Sequence, residues 1–260
     1  MTLPTLFVSH GAPTLAIQKT PASDFFRSLA ARLPKPKAVL MVSAHWEEAG
    51  VTLGLGTETI HDFYGFPPAL YQLKYEAPPA RDVATRAAGL LRKADIGVRI
   101  DETRGRDHGA WMPLILSWPQ AEFPVAQLSL IAGGDAATHF AIGRALKPLR
   151  DEGVLIVGSG SATHNLRARP TPQPAEWASA FVGWLDRTLE ARDDAALQDW
   201  RRVAPYAEIN HPTPEHFEPI MVARGAAAGE AMTPLHASYE FGSLSMNAYA
   251  FGMDHSDRAT

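Results

Sequence analysis

The chain contains no cysteine among its 260 residues. That one absence removes disulfides, thiolate nucleophiles, iron–sulfur clusters and Cys-ligated zinc together, so a metal site here must be built from histidine, aspartate and glutamate. Long apolar runs are missing too: no stretch approaches the ~20 residues that span a bilayer. The chain enters a strand-like run soon after Met1, with no basic segment and long apolar segment ahead of it, which is not the pattern of a secretory signal. A cytoplasmic location is expected. Positive charge is not in excess either, with 24 Lys and Arg against 28 Asp and Glu and a net charge of −4, so neither nucleic acid nor a membrane is an expected partner. Two signatures of common chemistry are also wanting. Gly158-Ser159-Gly160-Ser161 lacks the Lys-Ser/Thr ending of a phosphate-binding loop, and it does not fit the G-x-S-x-G elbow of a serine hydrolase.

What remains is an ordinary globular composition, 46% hydrophobic and 20% charged, without repeat, low-complexity block or linker. A single domain over 1–260 is expected. Phe25, Phe26, Leu29, Ala30 and Leu33 stand at helical spacing and predict an amphipathic helix over 22–33, ended by Pro34 and Pro36 before a strand opens at Ala38. Further strands are expected at 51–55, 124–130 and 154–157, with helices at 80–91, 138–149, 175–189, 195–203 and 215–228. Alternating polarity predicts two more strands in the tail, at 235–241 and 245–251. The apolar residues Val154 to Val157, bounded by Gly153 and Gly158, read as a strand near the sheet centre. The fold class is therefore α/β, a central mostly parallel or mixed sheet flanked by helices, with right-handed crossovers.

Three of the strand runs end alike. Thr5-Leu6-Phe7-Val8-Ser9-His10, Ala38-Val39-Leu40-Met41-Val42-Ser43-Ala44-His45 and Val154-Leu155-Ile156-Val157-Gly158-Ser159-Gly160-Ser161-Ala162-Thr163-His164 each stop at small residues with a histidine at the exit. If the three are neighbouring parallel strands, their imidazoles gather at the C-terminal edge of one sheet, where open α/β sheets bind ligands. Each histidine alone has a plainer reading as a capping or loop residue, and their equivalence is what points to a metal. His216, in Pro214-Glu215-His216-Phe217, falls in the first turn of the helix expected after Pro214, where the helix dipole favours a neutral, metal-ligating imidazole. Glu215 beside it is either a ligand or a partner of the dipole. His108, in Asp107-His108-Gly109-Ala110-Trp111, has an acid next to it that can orient the ring, and it reads as an acid/base candidate. His61 lies in an aromatic loop that either walls a pocket or covers the sheet edge, and His139, His211, His236 and His255 read as structural or surface residues.

Taken in order, Ser9-His10-Gly11-Ala12-Pro13, Ser43-Ala44-His45-Trp46, His61-Asp62-Phe63-Tyr64-Gly65-Phe66-Pro67, Asp107-His108-Gly109-Ala110-Trp111, His164-Asn165-Leu166, Pro214-Glu215-His216-Phe217 and the closing Gly242-Ser243-Leu244-Ser245-Met246 resemble the DODA-type extradiol aromatic ring-opening dioxygenases of the class III, LigB-like superfamily. The likeness spans nearly the whole chain. It implies that His10, His45 and His216 bind the metal, with His164 either a fourth ligand, as in zinc-loaded members, or the acid/base residue beside them. Better-known LigB-like enzymes use two histidines and a glutamate for iron; His216 stands here in the carboxylate's place, which leaves Glu215 a lesser candidate.

The resemblance further implies Fe(2+) as the active metal, Zn(2+) as an ion that can be found in its stead, and a small-molecule catechol and O2 as substrates. Three protein ligands on octahedral iron leave three positions open for catechol and oxygen together, whereas four leave two. His164 is therefore expected off the metal, as the acid/base group, with His108 placing substrate or oxygen through a hydrogen bond. The family's named substrate is L-DOPA, whose 4,5-cleavage gives a seco-DOPA that cyclises to betalamic acid. Trp46, His61, Phe63, Tyr64, Trp111 and Tyr239 are the candidate substrate-binding residues. Two alternatives are a zinc hydrolase of amides or esters and a non-enzymatic metal-binding protein on the same scaffold; the oligomeric state is left open.

Overall fold

The computed structural model describes residues Thr2 to Met253. Along the chain come β1 (Thr5–Ser9), α1 (Pro21–Leu29), β2 (Ala38–Glu48), β3 (Val51–Gly54), α2 (Arg81–Lys93), β4 (Val98–Asp101), α3 (His108–Ser117), β5 (Val125–Ile131), α4 (Ala136–Leu146) and β6 (Val154–Gly160). Then follow α5 (Glu176–Glu190), the short α6 (Asp194–Gln198), α7 (Trp200–Val203) and α8 (Ala207–Asn210), α9 (Pro219–Ala226), β7 (Met232–His236), β8 (Tyr239–Glu240), β9 (Leu244–Ser245) and β10 (Ala248–Phe251). Eight strands form one sheet in the order β4-β3-β5-β2-β6-β1-β10-β7, and β8 pairs with β9 separately. The four middle strands, β5, β2, β6 and β1, are mutually parallel, with β10 antiparallel to β1.

Successive residues of a strand face opposite sides of the sheet, and here both sides are covered. Leu6, Val8, Val39, Met41, Leu155 and Val157 pack with α1 and α3, through Phe25, Phe26, Leu29, Trp111 and Leu114. Leu40, Val42, Leu128, Val154 and Ile156 point the other way, against Ala84 and Leu91 of α2, Ile142 and Leu146 of α4 and Val222 of α9. That two-sided burial is why the central runs are continuously apolar. Phe7, Tyr249 and Phe251 carry the second face onward to Phe181, Leu185, Trp200 and Phe217. Where α9 crosses, side chains would not fit: a Cβ on Gly158 of β6 would lie 2.2 Å from Pro219 O, and one on Gly143 of α4 would lie 2.1 Å from Val222 O. No helix among the described residues is long and apolar enough to cross a membrane.

The sheet holds β2, β6 and β1 side by side and parallel, as the three strand-end histidines required. Other expectations need correction. The helix expected over 215–228 begins only at Pro219, because proline has no N–H to continue the ladder back to Glu215. The stretch 195–203 divides into two short helices, and the tail forms four short strands, of which only β7 and β10 join the main sheet. Neither β4 nor α3 was expected. Every residue of α3 except Ile115 is buried and Pro113 lies within it, so the helix offers no polar face to give it a period.

Gly143→Ala is expected to lower the unfolding free energy by ~1–3 kcal/mol through overpacking against α9. Gly89→Ala, in α2 with nothing within 4 Å of the added methyl, is expected to raise it by ~0.5–1 kcal/mol. Urea unfolding of the two variants measures both, and equal behaviour would contradict the packing described.

Candidate metal centre

Three segments deliver three imidazoles to one point at the C-terminal edge of the sheet. His10 follows the last residue of β1, its N–H donating to Gly160 O at 2.9 Å, and Gly11 turns the chain away at φ +66. A Cβ at Gly11 would lie 2.6 Å from Met246 Cε, so both conformation and space call for glycine there. His45 lies inside β2 rather than at its exit. Val42 pairs with Leu128 of β5 but Glu47 already pairs with Leu130, and the surplus residues bulge out of the ladder and aim the imidazole at the site. His216 sits in the turn before α9, its carbonyl accepting Ser161 N–H at 2.8 Å. Gly160 permits that contact, since a Cβ there would stand 2.1 Å from His216 O.

The hydrogen bonds behind the rings settle which nitrogens carry hydrogen. Ser159 Oγ lies 2.5 Å from Gly109 O, a carbonyl that can only accept, so the serine gives its hydrogen there and accepts from His10 Nδ1 at 3.0 Å. His216 Nδ1 lies 2.8 Å from Glu215 Oε1 and donates to it. The Nε2 atoms of both rings are therefore bare. They approach His45 Nε2 at 3.1 Å and 3.3 Å, while His45 Nδ1 faces Asp62 Oδ2 at 3.4 Å. One hydrogen on His45 cannot serve both contacts, and with its hydrogen turned to Asp62 three lone pairs meet. A cation resolves that repulsion. With metal–nitrogen bonds of roughly 2.1 Å, ligands at 90° to 109° stand about 3.0 to 3.4 Å apart, the separation these rings show. The donor set thus fits a divalent metal.

Burial keeps these rings neutral. It is the largest cause lowering His10 and His216 well below 6.5, and neighbouring imidazoles add to it. His45 is lowered by burial and His108, against the opposing pull of Asp107 and Asp62. His164 stands outside the converging group. Its ring stacks on that of His216 with centroids 3.4 Å apart and 8° between planes, and neither ring nitrogen has a hydrogen-bond partner among the described residues. Burial takes it to about 4 although Glu215 pulls upward, well below the ordinary value of ~6.5 on which the sequence argument for a proton carrier relied. Glu215 lies behind His216 as its hydrogen-bond acceptor.

His108 opens α3, and its orienting acid is Asp62 rather than its neighbour Asp107. Asp62 accepts both the ring Nδ1–H and the backbone N–H of His108 at 2.9 Å. Burial would raise the Asp62 carboxyl, but these hydrogen bonds outweigh it and hold the group at about 2. Asp107 turns the other way, accepting from Ser43 Oγ, Gln127 and Arg104. The five histidines 10, 45, 108, 164 and 216 form one side of a cavity of about 320 Å³, and Phe63, Phe66, Leu166 and Leu244 close much of the rest.

Of the aromatic residues predicted to bind substrate, Phe63 lines this cavity and the others do not. Trp46 follows His45 along β2 and so faces away, its indole donating to Glu48 and lying under the Arg104 guanidinium. Trp111 is fully buried behind Phe63, donating to Ile60 O. His61 pins the loop by donating to Leu73 O at 3.1 Å, Tyr64 is 91% exposed, and Tyr239 lies in β8. His139 is held between Ile131 N–H and Glu218, His211 donates to Ala162 O, and His236 bonds Ser238; His255 lies outside the described residues. Sequence reasoning missed Asp62 and Ser159. The only available signal was their adjacency to motif residues.

A family profile described as the catalytic LigB subunit of aromatic ring-opening dioxygenase matches residues 4–252. The chain is 43% identical to the 4,5-DOPA dioxygenase extradiol of Beta vulgaris, with 95% of this chain and 96% of that protein covered. It is 38% identical to the protein of that name in Escherichia coli K12, with 96% and 95% covered. The crystal structure of an uncharacterized protein from Escherichia coli K12 superposes with a TM-score of 0.82 at 33% identity, covering 96% of this chain and 100% of that one.

A pH dependence follows from the neutral histidines. His10, His45, His164, His211 and His216 all have folded values below 6.5, those of His164 and His211 at about 4 and about 3. Below 6.5 the unfolded chain takes up protons that the folded chain refuses, so stability is lost as pH falls. The Tm of the metal-free protein is expected to be level from about pH 8 to 7 and to fall steadily from about 6.5 to 5; a level Tm across that lower range would mean that the rings are not held neutral.

Proposed function

The chain belongs to the LigB family of aromatic ring-opening dioxygenases, and from that premise we propose that it opens a side-chain-bearing catechol by extradiol cleavage, with L-DOPA cut at its 4,5 bond as the leading substrate. The observation that carries this reading is the convergence of three imidazole nitrogens, each backed by a partner behind the ring, on the wall of a small cavity. His10, His45 and His216 are the assigned ligands. Iron(II) is the assigned metal, and zinc, which generally outcompetes iron(II) at nitrogen sites, marks an inactive form. When bound, the iron supplies a redox-active centre through which electron density passes from the aromatic ring to oxygen.

The side chains around it supply the rest. His164, neutral and with no hydrogen-bond partner on its ring among the described residues, faces the cavity and takes a proton from a catechol hydroxyl, then returns it in a later step. Its low proton affinity is a property of the buried ring alone, and the charge of a catecholate beside it raises that affinity. His108, its Nδ1–H given to Asp62, accepts a hydrogen bond from the second hydroxyl through Nε2 and sets the orientation of the ring. Phe63, Phe66, Leu166 and Leu244 exclude water from a flat ring between them. Among the described residues no lysine or arginine lines the cavity, so the charged side chain of an amino-acid catechol extends toward the mouth. No feature of the site favours the hydrolytic alternative.

Oxygen consumption after anaerobic iron(II) reconstitution, compared across L-DOPA, caffeate and protocatechuate, tests the reading. Uptake with L-DOPA and a yellow product are expected; the lack of a catecholate charge-transfer band with every catechol would refute ring opening, and activity on caffeate alone would change the substrate only. His164→Ala is expected to keep its metal while losing turnover by ~10²–10⁴-fold, whereas His10→Ala and His45→Ala lose the metal. Equal metal loss in all three would make His164 a ligand.

A further inference from the structure

The aspartate of the aromatic loop does more than stand beside His108. We propose that Asp62 is a positioning residue that fixes the hydrogen-bonding state of His108 and the orientation of His45 at once, and so joins the cavity wall to the metal centre. This rests on the assignment of His45 as a ligand. Oδ1 of Asp62 accepts the backbone N–H of His108, and Oδ2 accepts its ring Nδ1–H while facing His45 Nδ1. Three N–H groups thus turn to one carboxylate, within the four acceptor sites it offers. The two imidazoles lie with centroids 4.0 Å apart, both with their Nδ1 edge on the same group.

The carboxylate has little freedom to leave. The residue before it, His61, is bonded to Leu73 O, and Ile60 O accepts from the Trp111 indole. The residue after it, Phe63, is buried against Phe66 and Tyr71. The neighbouring acid Asp107 is not free to take over, because its carboxylate is already bound by Ser43, Gln127 and Arg104. With hydrogen held on Nδ1 of His108 and drawn to Nδ1 of His45 by the carboxylate 3.4 Å away, Nε2 of His45 is left bare toward the metal and Nε2 of His108 bare toward the cavity. Three neutral histidines bring no charge to a divalent ion. Asp62, with Glu215 behind His216, places negative charge just outside the ligand set instead.

Asparagine at position 62 keeps the shape and removes one acceptor. Its oxygen can still hold the backbone N–H, but its amide then presents a donor to His108 Nδ1, which drives the ring hydrogen to Nε2. The test reads ring hydrogens by long-range ¹H–¹⁵N correlation in zinc-loaded, ¹⁵N-histidine protein, so it stands whether or not the chain opens catechols. In the unsubstituted protein His108 is expected as the Nδ1–H form; Asp62→Asn is expected to convert it to Nε2–H and to weaken zinc, measured by chelator competition, by about 10–100-fold. Asp62→Glu retains the Nδ1–H form. Glu215→Gln weakens zinc without altering His108. In the iron enzyme Asp62→Asn lowers kcat with KM changed by less than about twofold. An Nε2–H His108 in the unsubstituted protein overturns the proposal even if the variants fail to fold, and so does an Asp62→Asn protein with unchanged ring hydrogens and zinc affinity.

Discussion

The fold holds two nitrogen lone pairs within hydrogen-bond distance of a third, that of His45, without a hydrogen for each contact to share. Much of the surrounding structure serves that demand. Ser159 and Glu215 take up the outer hydrogens of two rings, the bulge in β2 turns the third inward, and burial removes the water and the protons that would otherwise relieve the crowding. Two glycines of β6 let a distant segment press its backbone onto the strand. An arrangement unfavourable on its own becomes favourable once a cation enters, which is how a fold selects for a metal through geometry it must maintain without one.

Charge is arranged with equal economy. In the proposed site, a ligand set of neutral imidazoles leaves a divalent ion its full charge toward an anionic substrate, and the carboxylates of Asp62 and Glu215 behind the rings temper it from a distance. Those outer groups also decide where hydrogens sit. The site therefore separates two tasks that a directly bound carboxylate would combine, contact with the metal and compensation of its charge.

How much of this was legible in the sequence follows from the range of each signal. β1, β2 and β6 were readable because strands buried on both faces are uniformly apolar and end at small residues, and the histidines beyond them marked the site. His216, which no strand run announced, was singled out by its place at an expected helix start and by the family resemblance, and the match over residues 4–252 bears that resemblance out. The start of α9 was displaced because Pro219 was read as ordinary helix. α3, almost wholly buried, gave no periodicity. Trp46 could have been set aside from alternation alone, since it follows His45 along a strand. Asp62 could not have been found this way: its partners are His108 and His45, and nothing local links them.

The spread of the converging histidines along the chain has a further consequence. His10 and His45 lie 35 residues apart, and His45 and His216 lie 171 apart. A single ion that holds all three is a removable cross-link, tying the first strand of the sheet to the segment that enters its last helix. It closes loops whose ordering is costly in the unfolded chain, and each tenfold rise in free metal above its Kd adds about 1.4 kcal/mol to the stability of the whole domain. Under the ligand assignment proposed above, supply of the ion sets the lifetime of the folded protein as well as its chemistry.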